Sequence, residues 1–499
     1  MLTGLKEFFA GTQTPAFIVG GCLRDSLLSL PPGRDVDIAV AGDVQILGKE
    51  LARSFGGTLV PLSPERGMLR VVVPHAGAAS HQESPFPHNS SKNLTIDLSG
   101  FSGSIEEDLA RRDFTVDALA LPISDWDEET PDLLTERVID PFHGKGDLAR
   151  KCIRAVGPSV FRDDPIRLLR SVRLAASLGF RLDPETARMV LADANHITDP
   201  APERVGAELL AILALDGAKG NMEALDRLDL LCRIIPELAE TKGVEQPSAH
   251  YWDVWGHTLH AVEGAERVTK GHQHSPVFTL VYWTEETNAY FNQTVSDGHN
   301  RRTILKLAAL FHDISKPQTK HQDETGRTRF PGHSEAGAEV ARKRLSQLRL
   351  SSKGIGMVYK MVEHHLRPYN MMQGVEVPTN RAIYRFFRDL DDVAVDTLYL
   401  SQADFLAAKG PELNPDDWAN HARMIAHIVQ VGFQPALPEA ALRLINGKEL
   451  IEHFKLAPGP LVGLLLEGIN EAQAVGEIST TEQAWDLAGQ IMLQHTDEP

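Results

Sequence analysis

An α+β head with a mixed sheet, followed by all-α regions, is the fold class this sequence predicts, on three observations. Apolar residues alternate at period two only up to about Ser99. Beyond Ser104 the apolar spacing turns helical and stays so. Within the first part, glycine and proline punctuate the chain at short intervals, as strand-turn-helix units require. A length of 499 residues means roughly three or four domains at ordinary domain sizes.

In chain order, Ala16–Val19 (AFIV) predicts a short strand, broken by Gly20-Gly21, and Cys22–Leu30 a helix stopped by Pro31-Pro32-Gly33. Asp35–Val40 (DVDIAV) alternates and predicts a strand; Asp43–Phe55 fits a capped helix. GTLVPL, MLRVVVP and Asn93–Ser99 (NLTIDLS) predict further strands, with a Ser/His/Pro-rich loop at Ala76–Asn93. Asp163–Phe180 and Ala224–Leu238 carry helical spacing, the latter stopping at Pro236. Thr241–Ala249 reads as a linker. His250–Lys409 reads as a helical, histidine-rich region, interrupted by an irregular, insertion-like stretch at His272–Asn300. Gly410–Asp416 precedes a last helical segment, and no internal repeat is visible. The expected domains are 1–145, 146–245, 246–410 and 411–499.

No apolar run approaches the ~18 residues that span a membrane. The N-terminus lacks the charged head and apolar core of a secretion signal. Cys22, Cys152 and Cys232 share no metal or disulfide spacing, so a reducing cytoplasmic setting is expected. The net charge of −18 argues against nucleic acid as a whole. One stretch runs the other way: Lys145, Arg150, Lys151, Arg154, Arg162, Arg167, Arg170, Arg173 and Arg181 offer a surface for a phosphate backbone.

Two constellations carry chemistry. In the first, Asp35 and Asp37 lie two apart on a strand and so share a face. Paired carboxylates suit magnesium, which clamps a triphosphate; two-metal transfer places its ions ~3.5–4 Å apart. Gly20-Gly21 at a strand-to-helix turn lets backbone N–H groups approach phosphate, with Arg24 adding a charged contact. Asp97 is a candidate third carboxylate. In RRDFTVDALA, Arg111 and Arg112 suit triphosphate or RNA, and Asp113 and Asp117 suit ribose hydroxyls. Asp164 and Arg167, three apart, are expected on one helix face, where an acceptor beside a fork of donors imitates a complementary base. Arg170 and Arg173 are counted with the nucleotide-binding set.

In the second, His312-Asp313 ends the apolar run ILKLAALF, and His257, His333, His365 and Asp404 lie on neighbouring helical segments. Imidazole plus carboxylate suits Mn, Fe, Ni or Zn rather than Mg alone, and Mg stays an alternative. His364 is the adjacent rival to His365, and Lys316 suits a substrate phosphate.

The order GGCLRDSLL, DVDIAV, IEEDLARRDFTVDALA, DDPIRLLRSVRLAASLGF resembles the bacterial and eukaryotic class of tRNA nucleotidyltransferases and their poly(A) polymerase relatives, over roughly Phe17–Leu238. The resemblance implies a polymerase-beta-like head, Asp35 and Asp37 as the magnesium ligands, and Gly20, Gly21 and Arg24 at the triphosphate. It also implies Arg112, Asp113 and Asp117 in a ribose-selecting motif, and Asp164 with Arg167 as the protein template for CTP and then ATP. The implied partners are tRNA, CTP and ATP, with no membrane. The chain departs from the family in two places. Asp117 stands where the family usually has Asn, and only Leu98–Ser104 fills a position usually held by a flexible loop. In relatives that loop helps the switch from CTP to ATP, and CC-only members have shortened it. The Ala76–Asn93 loop is the other candidate for that role, so CCA, CC and poly(A) products stay open.

The order H…HD…H…H…D over about His250–Lys409 is similar to the HD superfamily of metal-dependent phosphohydrolases. This implies His257, His312, Asp313 and Asp404 as core ligands, His333 and His365 for a second metal, and phosphohydrolase activity. Two other classes compete: an HD hydrolase whose head only binds RNA, and a nucleotide sensor without turnover.

Overall fold

The computed structural model describes residues 2–12, 14–31, 33, 35–63, 67–74, 94–126, 136–271, 275–372, 374, 377–433 and 444–496. The expected loop at Ala76–Asn93 lies outside the described residues. The chain divides into two compact units. One comprises Met1–Asp216 with Gly220–Pro236; the other comprises Gly217–Lys219 with Glu237–Pro499.

The first unit is built on a six-stranded mixed sheet. Its strands are β1 (Ala16–Val19), β2 (Asp35–Val40), β3 (Thr58–Ser63), β4 (Met68–Val73), β5 (Leu94–Gly100) and β6 (Ala120–Pro122), in the order β3-β4-β5-β2-β1-β6. Only β2 and β5 run parallel. At the centre Val36, Ile38, Ala39 and Val40 are buried, while Asp35 and Asp37 of the same strand are not. The helix Val44–Ser54 packs on β4. Asp43 caps it, its carboxylate accepting from the N–H groups of Gln45 (2.8 Å) and Ile46 (3.2 Å).

Three expectations need correction here. β6 falls inside the region read as mostly helical. It is three residues long, too short to show alternation, and is held by pairing with β1. Asp163–Phe180 is not one helix: a short turn, Val160–Asp163, ends before Pro165, and a new helix runs Arg167–Leu178. The proline ring disfavours helical backbone at the residue before it, and Asp164 is accordingly extended (φ −150°, ψ 97°). Ala224–Leu238 is likewise segmented, into Ala218–Arg227, Leu231–Ile234 and a 3-10 turn at Pro236–Thr241.

The second unit is helical, with two two-stranded ribbons. Helices Val254–Val268 and Ala394–Lys409 approach so closely that a Cβ on Gly264 would lie 3.0 Å from the backbone of Ala403. Arg301–Phe311 packs against both, and His333–Gln347 against Ser352–His364. The stretch read as irregular contains a helix, Glu285–Asn292, with a Thr284–Thr287 capping box, and a hairpin, Thr294–Ser296 with His299–Asn300. Its Phe291 ring packs on Tyr399, 4.6 Å between centroids, so it belongs to the helical core. The last helices, Gly447–Phe454, Pro460–Ala474 and Thr481–Thr496, share a small core around Leu450, Leu465 and Ile469. Arg385 ties them to the Asn380–Leu390 helix through Glu471 (2.9 Å).

One close approach in the first unit makes a direct test. A Cβ on Gly144 would run into the backbone carbonyl of Thr115, which cannot rotate aside. Gly144→Ala is expected to destabilise the first unit by about 1–3 kcal/mol, read as a lower denaturant midpoint for the full chain at unchanged slope.

Candidate active sites

The first site is a cleft of about 310 Å3 at the C-terminal end of β1, bordered by β2 and β5. Gly20, Asp37, Asp97, Arg112, Asp113 and Asp117 line it, along with Gly21 and Arg170. Asp37 and Asp97 are register partners on the parallel strands β2 and β5. Asp35 opens the same strand, exposed, with the Thr95 hydroxyl donating to it. The chain turns from β1 into the helix Gly20–Leu27 directly at Gly20, two residues earlier than expected. Gly20 has φ +68°, and a Cβ there would stand 2.9 Å from Asp37 Oδ2. Glycine is thus required twice over, by backbone and by space.

Arg70, Arg24 and Arg112 stand among these acids. Arg70 holds Asp97 in a two-pronged pair at 2.7 and 2.8 Å. Arg24 binds Asp25 (Nε, 2.7 Å) and Asp117 (Nη1, 2.7 Å), so it is engaged by carboxylates rather than presented to a triphosphate. Arg112 donates weakly to the Asp117 carbonyl (3.5 Å), and its Nε is buried without a hydrogen-bond partner. Burial raises the Asp37 carboxyl above the ordinary range, and the neighbouring Asp97 adds to it. Burial also pushes Asp117 up to about 6, outweighing the Arg24 pairing that pulls it down. Crowded carboxylates of this kind fit a divalent cation, which relieves the repulsion.

Asp113 is fixed from two sides, by the Phe114 N–H (3.0 Å) and by Arg170 Nε (2.7 Å). Beneath it lies a residue that sequence reasoning missed. Asp147, almost fully buried, accepts from the Thr115 hydroxyl (2.8 Å), Arg150 (2.8 Å) and Arg154 (3.1 Å). It thereby anchors the 3-10 turn Thr115–Asp117. A lone Asp after GKG carries no motif, so only the fold reveals it.

Asp164, Arg167 and Arg173 lie outside the lining of the cleft. Asp164 pairs with Arg204 (2.9 Å) and Arg173 with Glu208 (2.6 Å). Arg167 donates to the carbonyls of Arg111 (2.7 Å) and Val160 (3.3 Å). The expected common helix face is overturned, because Asp164 precedes the helix that Arg167 begins.

The second site gathers all six expected ligands. His257 Nε2 stands 3.0 Å from His312 Nε2, 3.2 Å from Asp313 Oδ2 and 3.1 Å from Asp404 Oδ1. On the other side of Asp313, Oδ1 lies 3.4 Å from His333 Nε2 and 3.8 Å from His365 Nε2. Asp313 therefore sits between two ligand groups, one per carboxylate oxygen. The imidazoles are oriented from behind: Nδ1 of His312, His333 and His365 bonds the carbonyls of Ala309, Phe330 and Val362 at 2.7–2.8 Å. His364 instead meets Glu363 (3.3 Å), which decides between the adjacent histidines. Lys316 Nζ reaches Asp313 Oδ2 at 2.5 Å.

Neither Asp313 oxygen receives a well-aligned hydrogen bond, although both are buried. Against burial, His312 and Lys316 hold Asp313 well below the usual carboxylate range. Burial pushes His365 down to about 3, with His312 adding to it. Burial is outweighed at His312, which Asp313 raises to about 10. A cage of imidazole nitrogens and carboxylate oxygens fits divalent metal binding.

Three family models match the chain. Residues 16–154 match the poly A polymerase head domain, residues 179–242 the probable RNA and SrmB-binding site of polymerase A, and residues 254–408 the HD domain. The chain is 34% identical to a CC-adding tRNA nucleotidyltransferase of Thermus thermophilus, covering 95% of this chain and 93% of the relative. It is 32% identical to an A-adding tRNA nucleotidyltransferase of Deinococcus radiodurans, covering 94% of each. Among solved structures it resembles a CCA-adding enzyme in complex with ATP (TM-score 0.61, 19% identity, 98% of this chain and 94% of that one). It also resembles the Thermotoga maritima CCA-adding enzyme complexed with tRNA (TM-score 0.58, 19% identity, 98% and 94%). No helix among the described residues is long and apolar enough to cross a membrane. A polymerase-type head and an HD domain in one chain, with relatives of this identity along nearly their whole length, make this protein a member of the tRNA nucleotidyltransferase family.

Proposed function

We propose that the head transfers cytidylate from CTP to the 3′ end of tRNA in the cytoplasm, and that the product ends in CC. The observation that carries the transfer reading is Asp37 in register with Asp97 on parallel strands, directly under the Gly20 turn. Asp35 and Asp37 would hold magnesium, which supplies charge neutralisation to the triphosphate as pyrophosphate leaves. Gly20 and Gly21 leave room for phosphate oxygens, and Arg112 offers the buried Nε that has no hydrogen-bond partner. Arg24 positions Asp117, and Arg170 positions Asp113, so two acceptors stand where a ribose would bind. Base choice by Asp164 requires it to leave Arg204. Arg204 is half exposed, so exchanging that ion pair costs little.

The CC product rests on the connection from β5, which ends at Gly100, to the helix Ile105–Leu109, capped by Ser104. Four residues leave no room for a loop that reshapes the site for ATP. Addition of A is the second reading, favoured by the likeness to the A-adding relative.

The second unit is proposed as a metal-dependent phosphohydrolase. Asp313, set between two imidazole groups, supports a pair of metals, with Mn, Fe, Ni or Zn preferred over Mg by the donor set.

Sequencing the 3′ ends of truncated tRNA incubated with CTP, ATP or both tests the product. CC in every reaction containing CTP is expected, and CCA with both nucleotides would overturn the CC reading. Asp37→Ala should lower incorporation about a thousandfold or more, since metal-assisted stabilisation is worth several kcal/mol; unchanged incorporation would sink the transfer reading. His312→Ala with Asp313→Ala should remove metal measured by elemental analysis and abolish phosphoester hydrolysis. It should leave cytidylate incorporation intact.

A further inference from the structure

The segment Val244–Asp253, ahead of the Val254–Val268 helix, has no regular structure but is tightly fastened. The Gly243 N–H donates to Asp253 Oδ2 (2.7 Å) and the Val254 N–H to the Val244 carbonyl (3.0 Å). The Tyr251 N–H donates to the Ala408 carbonyl (2.8 Å) at the end of the helix that carries Asp404. Trp252 stacks flat on His260, 4.2 Å between centroids, on the helix that carries His257. Gln246 Nε2 closes the segment on itself by donating to the Trp252 carbonyl (3.2 Å). This is a strap of fixed shape, and a stretch read from the sequence as a linker forms most of it.

Two strap side chains reach the histidine cluster. Gln246 Oε1 accepts from Lys316 Nζ (2.7 Å), the same nitrogen that contacts Asp313. The His250 ring stands edge-on to His257, 5.3 Å between centroids and 73° between planes. His250 Nδ1 is buried with no hydrogen-bond partner, and so is His257 Nδ1; the other three imidazoles are tied to carbonyls. A buried nitrogen left without a partner costs free energy, and one beside a reaction centre suggests that a ligand completes it. Lys316 is a buried cation on the same flank. A cation and an imidazole beside the two histidine groups around Asp313 make a set of donors whose chemistry matches a phosphoryl anion.

We propose that His250 is a substrate-contacting residue of the HD centre, donating a hydrogen bond to a phosphoryl oxygen that Lys316 also holds. Gln246 acts through Lys316 and is a positioning residue. The proposal rests on the phosphohydrolase reading of the second unit and adds a residue outside the six ligands. A mere prop for the His257 ring would need only an aromatic edge at position 250. A substrate contact needs a donor there.

The full chain, loaded with manganese, is titrated with inorganic phosphate by calorimetry. Binding by a His312→Ala, Asp313→Ala chain is subtracted to remove the contribution of the head. His250→Phe keeps the ring and loses the donor; it should keep its manganese and weaken phosphate binding about tenfold. His250→Gln keeps a donor and should bind within about threefold of the parent. An unchanged dissociation constant in His250→Phe overturns the proposal. So does loss of manganese from both variants, which would mark His250 as a support for His257, and so does a parent chain that binds no phosphate. Hydrolysis of bis(p-nitrophenyl) phosphate is followed in parallel. A parent that binds phosphate without turnover overturns the hydrolase reading, and the phosphate constants then still decide the place of His250.

Discussion

The contact of Gly20 with Asp37 is the constraint on which the head depends. The chain must leave β1, reverse hand at φ +68° and start a helix within one residue, with an acid of the next strand 2.9 Å from where a side chain would begin. That geometry brings backbone N–H groups and carboxylates to one point. It also explains why the surrounding acids are so heavily managed. Asp97 is held by Arg70, Asp117 by Arg24 and Asp113 by Arg170. Asp37 carries the burden of the crowding, and its carboxyl is raised. Most of the acids of the cleft are thereby balanced in pairs, and Asp37 is the exception.

The HD unit solves a related problem by a different route. Its ligands come from helix ends and from two helices in van der Waals contact. His312 and His365 directly follow helices, His333 begins one, and His257 and Asp404 sit on the pair that closes at Gly264 and Ala403. At the helix ends His312 and His365 each find a carbonyl three residues back, and His333 uses that of Phe330 ahead of its helix. Burial then makes the cluster unforgiving. An isolated charge there would be expensive, so the group is stable only as a balanced set around Asp313.

What was legible in the sequence follows from how local each signal is. β2, with its DVDIAV alternation, and the Asp43-capped helix stand where their residues indicate, because period and cap are encoded within a few positions. The six residues expected as HD ligands lie together, since residue type and order survive any detail of packing. β6 was invisible, as three residues acquire strand character only by pairing with β1. The break at Asp164-Pro165 was available from the proline rule but was masked by apolar spacing on either side. Asp147 and His250 were beyond reach. Their partners, Thr115 at one and His257 at the other, are chosen by the fold.

The arginine-rich stretch shows why charge counting misleads in an acidic protein. Between Arg150 and Arg173 most guanidinium groups already have carboxylates. Arg150 and Arg154 share Asp147, Arg162 holds Asp193, Arg170 holds Asp113 and Arg173 holds Glu208. The stretch is therefore not a bare cationic stripe: these pairs nearly cancel, and the −18 net charge comes from acids elsewhere in the chain. Yet the acids are the buried members and the arginines the exposed ones: Asp147 and Arg150 are 1% and 58% exposed, Asp193 and Arg162 7% and 70%. Each acid fixes one edge of a guanidinium and leaves other N–H groups facing solvent. Positioned donors of this kind can meet a phosphate backbone with less loss of side-chain freedom than free lysines would suffer. An acidic total is thus compatible with a local surface of ordered, outward-facing guanidinium groups, because the acids fix the arginines in place.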